Sequence, residues 1–326
     1  YPSLNFNGIW CKNSTTEIGR YAPTSSQYGS FYLAESVSLD GTVASTTDFG
    51  EFDSDSPNIW KPIDVSGLTF GTNGFYLDFE NASSLGADVS GNSNNFTVNN
   101  LTSVDQSTDT CTNNFSTFNS LNPAGSNSSF EQGNLTFKTD SSASAQRATF
   151  GTFGVSTGKW YAEFKMTAES TTSGSIPYIG VAAIDKFSHT YIGANLDSVA
   201  YNSNQAVYSN ESEIDSGETN YGNGDIVGVA ADITNKKIYF HVNGTYINSQ
   251  NPASATNGYT LPNTTNNFYC FAASLYGANG TWEANFGSPS FSISSGNSDA
   301  NSYGNFEYSV PSGYYALNTK NLADFG

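Results

Sequence analysis

Charge is scarce in this chain, and positive charge is the scarcest. Only 12% of the 326 residues are charged, with 11 Lys and Arg against 29 Asp and Glu, and the net charge is −18. A chain without a basic patch has nothing to replace the counterions of phosphate groups, which argues against a nucleic-acid partner. The same deficit disfavours binding to an anionic membrane surface.

Cysteine, histidine and long apolar runs are also in short supply. The three cysteines, Cys11, Cys111 and Cys270, are odd in number and widely spaced, so no disulfide framework is predicted. Two histidines and three cysteines without ligand spacing predict no metal site. No run of about 18 apolar residues is present, so we expect no insertion into a membrane. No glycine-rich phosphate loop opens a helix, and no cofactor is predicted.

Aromatic residues are abundant. They make up 14% of the chain, with 20 Tyr and 23 Phe, whereas disordered chains are poor in them. Strong helix formers are few, and no stretch has a sustained helical period of apolar residues. Strand-like runs separated by turns about every ten residues predict an all-β fold, an antiparallel sandwich of two sheets.

The segment Gly224–Gly244, GDIVGVAADITNKKIYFHVNG, is the clearest structural unit. Two strand-like runs flank Thr234-Asn235-Lys236, which predicts a β-hairpin. Ile238, Phe240 and Val242 alternate with polar residues, so they are expected to face a core. His241 lies on the polar side of this alternation and is expected to be exposed. Asn243-Gly244 predicts a second turn, because both residues tolerate positive φ.

The chain is predicted to have two parts. Residues 1–112 form an N-terminal β-rich arm with a hairpin of Gly74–Phe79 and Phe96–Leu101, and residues 113–326 form the sandwich and a C-terminal tail. The arm's loop Asp88–Asn95 is rich in side-chain oxygens. Asx turns are the favoured interpretation of this loop, and a weak Ca²⁺ site is the alternative.

Strands are predicted throughout the second part. Besides the hairpin, they are Leu135–Lys138, Arg147–Phe150, Lys159–Thr167, Tyr178–Ala183, Ala206–Tyr208, Phe268–Leu275, Thr281–Phe286 and Phe306–Val310.

Four blocks in this region resemble the SPRY domain family in order: GKWYAEFKM (158–166), YIGVAAID (178–185), the hairpin's opening, and FYCFAASLYGANGTWEANFG (268–287). The resemblance covers about residues 130–290. It implies a concanavalin A-like β-sandwich that binds partners through loops at one end of its sheets.

The flanking segments resemble laminin-G-like and SPRY-like modules of phage and prophage virion proteins. They are GTNGFYLDFENASSLGADVSGNSNNFTVNNL, the Asp/Thr-rich TDTCTNNF, and PSGYYALNTKNL. This resemblance implies a non-catalytic virion-surface protein, in a fibre, a tail or a capsid decoration, that mediates attachment to a host glycan or surface protein. It also implies other virion proteins as partners and allows a homo-oligomer. A purely structural capsid or tail module is the alternative.

The stretch Glu213-Ile214-Asp215-Ser216-Gly217-Glu218 resembles the E-I-D-x-x-E motif of laminarinase-type glycosidases. In that family the two glutamates are the nucleophile and the acid/base, which requires carboxyls roughly 5–5.5 Å apart. Here Ser216-Gly217 replaces two apolar residues of the motif, and an exposed loop is the favoured interpretation. We therefore predict no catalytic residues, and an enzyme using Glu213, Asp215 and Glu218 is the minor alternative.

Binding of a partner molecule is the remaining candidate function. The candidate loops are Asp185–Asn204, Ser209–Asn223 and Asn248–Asn266. Aromatic faces with amides and carboxylates nearby can stack on a sugar or anchor a protein. The predicted ligand-binding residues are Tyr191, Tyr201, Tyr221 and Tyr259.

Overall fold

The structure is a computed structural model of the chain. It describes residues 16–21, 27–29, 31, 33–52, 60–81, 83–101, 109, 113–121, 127–183, 191–193, 197–263 and 268–326. These residues belong to two compact units. The first comprises residues 1–44 and 66–97, and the second comprises 45–65 and 98–326. The domain boundary between residues 112 and 113 stays a prediction.

The regular elements are nearly all strands. In chain order they are β1 (Ser36–Ser38), β2 (Gly50–Phe52), β3 (Trp60–Pro62), β4 (Phe75–Leu77), β5 (Ser128–Glu131), β6 (Thr136–Thr139), β7 (Gln146–Phe150), β8 (Lys159–Ala168), β9 (Tyr178–Ala183), β10 (Ser198–Asn202), β11 (Ala206–Ser209), β12 (Ser212–Ser216), β13 (Ile226–Asp232), β14 (Lys237–Val242), β15 (Thr245–Tyr246), β16 (Tyr259–Thr260), β17 (Tyr269–Tyr276), β18 (Thr281–Asn285), β19 (Tyr315–Ala316) and the helix α1 (Thr319–Phe325).

The first unit contains the antiparallel pair β1–β4. The prediction that Phe96–Leu101 pairs with the Phe75 strand is wrong, because this segment is not a strand and β4 pairs with β1 instead. Asp88 accepts hydrogen bonds from the backbone N–H groups of Ser90 (2.9 Å) and Asn94 (2.8 Å). The contact with Ser90, two residues on, is the Asx turn favoured for this loop.

The second unit is a sandwich of two sheets, as the sequence predicts. One sheet has the order β12-β11-β10-β9-β17-β7, and the other has the order β15-β14-β13-β8-β18-β6-β5 with β16 added beside β14 and β19 beside β8. All the pairs are antiparallel except β19–β8. Apolar side chains from the facing surfaces of both sheets form one core, which includes Phe164, Phe240, Val199 and Phe271.

The hairpin at Gly224–Gly244 is confirmed as β13 and β14, which pair from Val227 opposite Val242 to Asp232 opposite Lys237. Ile238, Phe240 and Val242 all lie in the core between the sheets. The second turn is confirmed as well: Asn243 and Gly244 have φ of 48° and 82°, and they connect β14 to β15.

The C-terminal tail, residues 287–326, covers the outer face of the larger sheet. Phe306, Tyr314 and Ala316 from the tail are buried against Tyr161 and Tyr239. The tail ends in α1, whose N-cap Asn318 accepts a hydrogen bond from the N–H of Asn321 at 2.9 Å. In the described part of the chain, no helix has the length and apolarity needed to cross a membrane.

Three local predictions about the sandwich are wrong. β10 lies in a stretch assigned to a loop, since its apolar run of Val199, Ala200 and Tyr201 is too short to stand out. β12 replaces the exposed loop expected before the hairpin. Phe306–Val310 is not a strand, and its one ladder contact is an isolated bridge from Phe306 to Asn297.

Candidate functional site

The two sheets are joined at one edge by four polar side chains. Asp215 on β12 accepts hydrogen bonds from the hydroxyl of Tyr259 on β16 (2.6 Å) and from the side-chain amide of Asn248 (3.1 Å). The backbone N–H of Asn248 donates to Glu218 at 3.0 Å. We call these four residues the edge site. Ile214, with 46% of its surface exposed, precedes Asp215 on β12.

Burial sets the electrostatics of the edge site. It raises the pKa of Glu218, and the nearby Asp215 carboxyl raises that pKa further, although the N–H of Asn248 opposes the shift. Burial also raises the pKa of Tyr259, and its hydrogen bond to Asp215 adds to this effect. The phenol of Tyr259 therefore stays protonated and donates to a carboxylate. The edge site offers negative charge and hydrogen-bond acceptors beside an aromatic ring.

The predicted ligand-binding tyrosines are not brought together. Tyr259 is half-buried in the edge site. Tyr191 lies on the outer face of the smaller sheet, where its ring stacks on Tyr178 with centroids 4.6 Å apart and meets Tyr208 edge-on. The remaining two, Tyr201 and Tyr221, are 0% and 3% exposed. Their rings pack inside the core, so neither presents a face at the surface.

The hydroxyl of Tyr201 nevertheless lies close enough to Glu218, on the core side of the edge site, to feel its charge. This hydroxyl is buried and has no hydrogen-bond partner among the residues that the structure describes. Burial raises the pKa of this phenol, and the charge of Glu218 raises it further. A ring in the core thus carries an unpaired polar group near the Glu218 carboxyl. The hydroxyl of Tyr221 has partners, since it donates to the carbonyl oxygens of Pro177 (2.9 Å) and of Tyr201 (3.0 Å).

A β-bulge separates the carboxylates that the glycosidase alternative requires. Asp215 lies opposite Val207, whereas Glu213 lies opposite Tyr208, because the register of β11 and β12 shifts between these pairs. Residues opposite each other share a face of the sheet. Val207 is in the core, so Asp215 points inward, and Glu213 accepts a hydrogen bond from Tyr208 on the outer face at 3.1 Å. The motif's first glutamate is therefore turned away from Asp215.

The larger sheet holds a buried polar network that the sequence did not reveal. Glu163 on β8 accepts hydrogen bonds from the hydroxyl of Tyr161 (3.0 Å), from the amide of Asn285 (3.3 Å) and from the tail's backbone N–H groups at Glu307 (2.9 Å) and Tyr308 (2.7 Å). Glu163 is 0% exposed. One carboxyl thus ties the C-terminal tail to the sheet. The Glu in the block GKWYAEFKM was visible, but three of its four partners lie more than 120 residues away.

His241 extends this network, and the prediction that it is exposed is wrong. It is 1% exposed. The tail covers the face of β14 that the alternation of apolar and polar residues predicted to be polar. The N–H of Gly244 donates to its Nδ1 at 3.1 Å. Nε2 therefore carries the hydrogen and donates to the hydroxyl of Tyr161 at 2.7 Å. Burial lowers the pKa of His241 to about 3, so the ring is neutral.

The buried carboxyl makes stability depend on pH. Desolvation raises the pKa of Glu163 to about 7 from 4.5, despite the four hydrogen bonds that favour its charged form. The folded protein therefore keeps a proton that the unfolded chain releases. The stability this group contributes is complete below pH 4.5 and is lost as the pH rises through about 7.

We expect this loss to amount to about 3 kcal/mol. It is measured as the difference between the pH profiles of unfolding free energy of the wild type and of Glu163→Gln, which cannot titrate. Subtracting the two profiles removes the pH dependence that the other carboxyls contribute to the unfolding free energy. Two parallel profiles between pH 4.5 and 7 would contradict the raised pKa.

Comparison with known proteins gives one family match and similar solved structures. Residues 159–288 match the family model of the SPRY domain. Among solved structures, the SPRY domain of human HERC1 is 15% identical, with 51% of this chain and 96% of that chain covered and a TM-score of 0.39. A human SPRY domain is 15% identical over 48% of this chain and 94% of that chain, with a TM-score of 0.36. No curated protein matches this chain.

The two packed antiparallel sheets thus define a β-sandwich of the concanavalin A-like class. Within it, residues 159–288 are the part that matches the SPRY domain family model. SPRY domains are generally non-catalytic modules that mediate protein–protein interactions.

Proposed function

We propose that this chain is a non-catalytic binding module on the surface of a virion, where it attaches to a host glycan or surface protein. The particle location rests on the resemblance of the flanking segments to phage virion proteins. The binding role is supported by the SPRY domain at residues 159–288. Other virion proteins are the partners expected on the particle side, and a homo-oligomer is compatible with such a place.

The edge site carries this proposal. Two strands from different sheets and the loop holding Asn248 converge there, so the residues are fixed by the sandwich rather than by one flexible loop. Tyr259 supplies an aromatic ring, and Asp215 and Glu218 supply acceptors for hydroxyl or amine donors of a partner. Aromatic and polar groups in this combination are typical of recognition surfaces.

Asp215→Asn is expected to weaken binding about tenfold, because the charge is lost while the shape is kept. An amide oxygen can still accept from Tyr259, so the melting temperature should change little. The measurement is binding of the purified chain to an array of immobilised glycans and to solubilised host surface proteins. Glu131→Gln is the matched control, since Glu131 is an exposed carboxylate on β5, the strand at the opposite edge of the larger sheet.

Binding that is equal in the wild type and in Asp215→Asn would exclude the edge site. If the wild type binds no glycan and no host protein, the structural alternative is favoured instead. That alternative predicts that labelled antibodies locate the chain inside a capsid or tail lattice. The binding module should instead be labelled on surfaces that face outward from intact particles.

A further inference from the structure

The strand β12 has an unpaired edge. It is the last strand of the smaller sheet, with β11 on one side and no described strand on the other, and four of its five residues are exposed. An edge strand leaves backbone N–H and C=O groups unpaired, and a partner chain can bond to them as an added strand. Because β12 carries Asp215 of the edge site, what pairs with this strand bears on the proposed binding role.

The hairpin turn before β12 determines which backbone groups point outward. A two-residue turn at 210–211, with φ of 48° and 69°, connects Ser209 to Ser212. The residues that close such a turn bond to each other. The next pair, Tyr208 and Glu213, is therefore a non-hydrogen-bonded pair, and the backbone N–H and C=O of Glu213 point away from β11. In the described part of the chain, no other backbone group bonds to them.

The side chains along this edge are acidic. Glu211, Glu213, Asp215 and Glu218 lie close together, and no Lys or Arg occurs between residues 187 and 235. Among the described residues, no basic side chain forms an ion pair with any of the four. The bulge turns Glu213 to the outer face and Asp215 inward, so the edge carries negative charge on both of its faces.

These charges decide which strand can be added. Antiparallel pairing with a second copy of β12 would place Glu213 opposite its own counterpart, with Glu211 opposite Asp215. Like charges directly opposite each other destabilise a strand pair, and a basic strand brings opposite charges together at the same positions. The edge therefore disfavours a second copy and favours a cationic segment. The net charge of −18 attracts the same kind of partner over longer distances.

We propose that β12 binds an extended segment of a partner protein, rich in Lys or Arg, which adds to the smaller sheet as an antiparallel strand. One residue of the segment lies opposite Glu213 and exchanges two backbone hydrogen bonds with it. Its neighbours bring their positive charges toward Asp215 and Glu218. The inference rests on the proposed binding role and narrows the partner to a basic protein segment.

Amide NMR of the whole chain with the synthetic peptide TVKKKVT tests this proposal. We expect saturable binding, with the largest shifts at residues 212–216 and with solvent exchange of the Glu213 N–H slowed about tenfold or more. Two control peptides separate charge from strand pairing. TVEEEVT reverses the charge and should not bind. N-methylation of the three lysine amides in TVKKKVT keeps the charge but removes backbone donors, so the affinity should fall about tenfold.

Glu213→Lys is the diagnostic variant. It places a positive charge opposite the basic peptide and should weaken binding about tenfold. The Glu213 side chain is exposed and bonds to Tyr208 alone among the described residues, so the melting temperature should change little. Glu131→Lys is the matched control, since Glu131 is an exposed glutamate on β5, an edge strand of the larger sheet. This control should leave the affinity for TVKKKVT unchanged.

Three results would overturn the proposal. They are equal affinities of TVKKKVT and its N-methylated form, equal affinities of the wild type and Glu213→Lys, and dimers of this chain that form through β12. The result is separable from the test of the proposed function. A glycan that binds the wild type but not Asp215→Asn, together with no peptide binding, would support attachment and refute the basic segment. Peptide binding without any bound host glycan or host protein would do the reverse.

Discussion

Glu163→Ala is expected to release the C-terminal tail and to cost the protein at least about 4 kcal/mol of unfolding free energy. The substitution leaves four donors without an acceptor: the Tyr161 hydroxyl, the Asn285 amide, and the tail N–H groups of Glu307 and Tyr308. Each buried donor left unpaired costs about 1–3 kcal/mol. Relaxation of the tail toward water recovers part of this loss, which is why the expected value is well below the full sum.

Chemical denaturation at neutral pH measures the stability change, and limited chymotrypsin digestion measures tail release. Phe306 and Tyr314 are buried under the tail in the wild type, so cleavage after them should appear in the variant alone. The control is Glu131→Ala, which removes an exposed carboxyl paired with Lys138 and should cost less than about 1 kcal/mol. A variant as stable and as protease-resistant as this control would show that Glu163 does not anchor the tail.

The sandwich and its hairpin were predictable because their signals are local. Ile238, Phe240 and Val242 are two residues apart, so their shared face follows from strand geometry alone. The turn at Asn243-Gly244 follows from the tolerance of both residues for positive φ. Every strand pair that such signals identify lies within a short stretch of the chain.

The network around Glu163 could not be predicted because it depends on distant segments. The same alternation that placed Phe240 in the core made His241 look exposed, since nothing near it in sequence indicates that the tail covers the second face. The reversal of Glu213 relative to Asp215 has a different, local origin. It results from a one-residue bulge against β11, and a register shift of this kind leaves no clear sequence pattern.

The predicted site residues also differ in whether local sequence could place them. Tyr259 was predicted as a ligand-binding residue and lies in the edge site, whereas Asp215 was named only in the glycosidase alternative. Tyr201 and Tyr221 were included on the same grounds, yet their rings fill the core. A tyrosine between polar neighbours can lie at the surface or in the core. Only the packing of the opposite sheet decides between the two positions.

Gly180→Ala is expected to have the other large effect, a loss of about 3 kcal/mol or more. Gly180 lies in the middle of β9, between Ala200 on β10 and Ala272 on β17. A Cβ there would be 2.0 Å from the carbonyl oxygen of Val199 and 2.8 Å from the Cα of Ala200. Both are backbone atoms of a strand paired on its other side with β11, so they cannot move aside as a side-chain end could.

The midpoint of chemical denaturation measures this effect, and Gly154→Ala is its matched control. Gly154 also packs near β17, but the nearest atom to its added Cβ is the sulfur of Cys270 at 3.5 Å, an ordinary contact. The control should change the unfolding free energy by less than about 1 kcal/mol in either direction. Alanine lowers the conformational entropy of the unfolded chain, which favours the folded state. Since β10 and β11 connect β9 to the Asp215 strand, the folded fraction of Gly180→Ala should also bind less through the edge site. A Gly180→Ala protein as stable as Gly154→Ala would mean that β9 and β10 are farther apart than this structure places them.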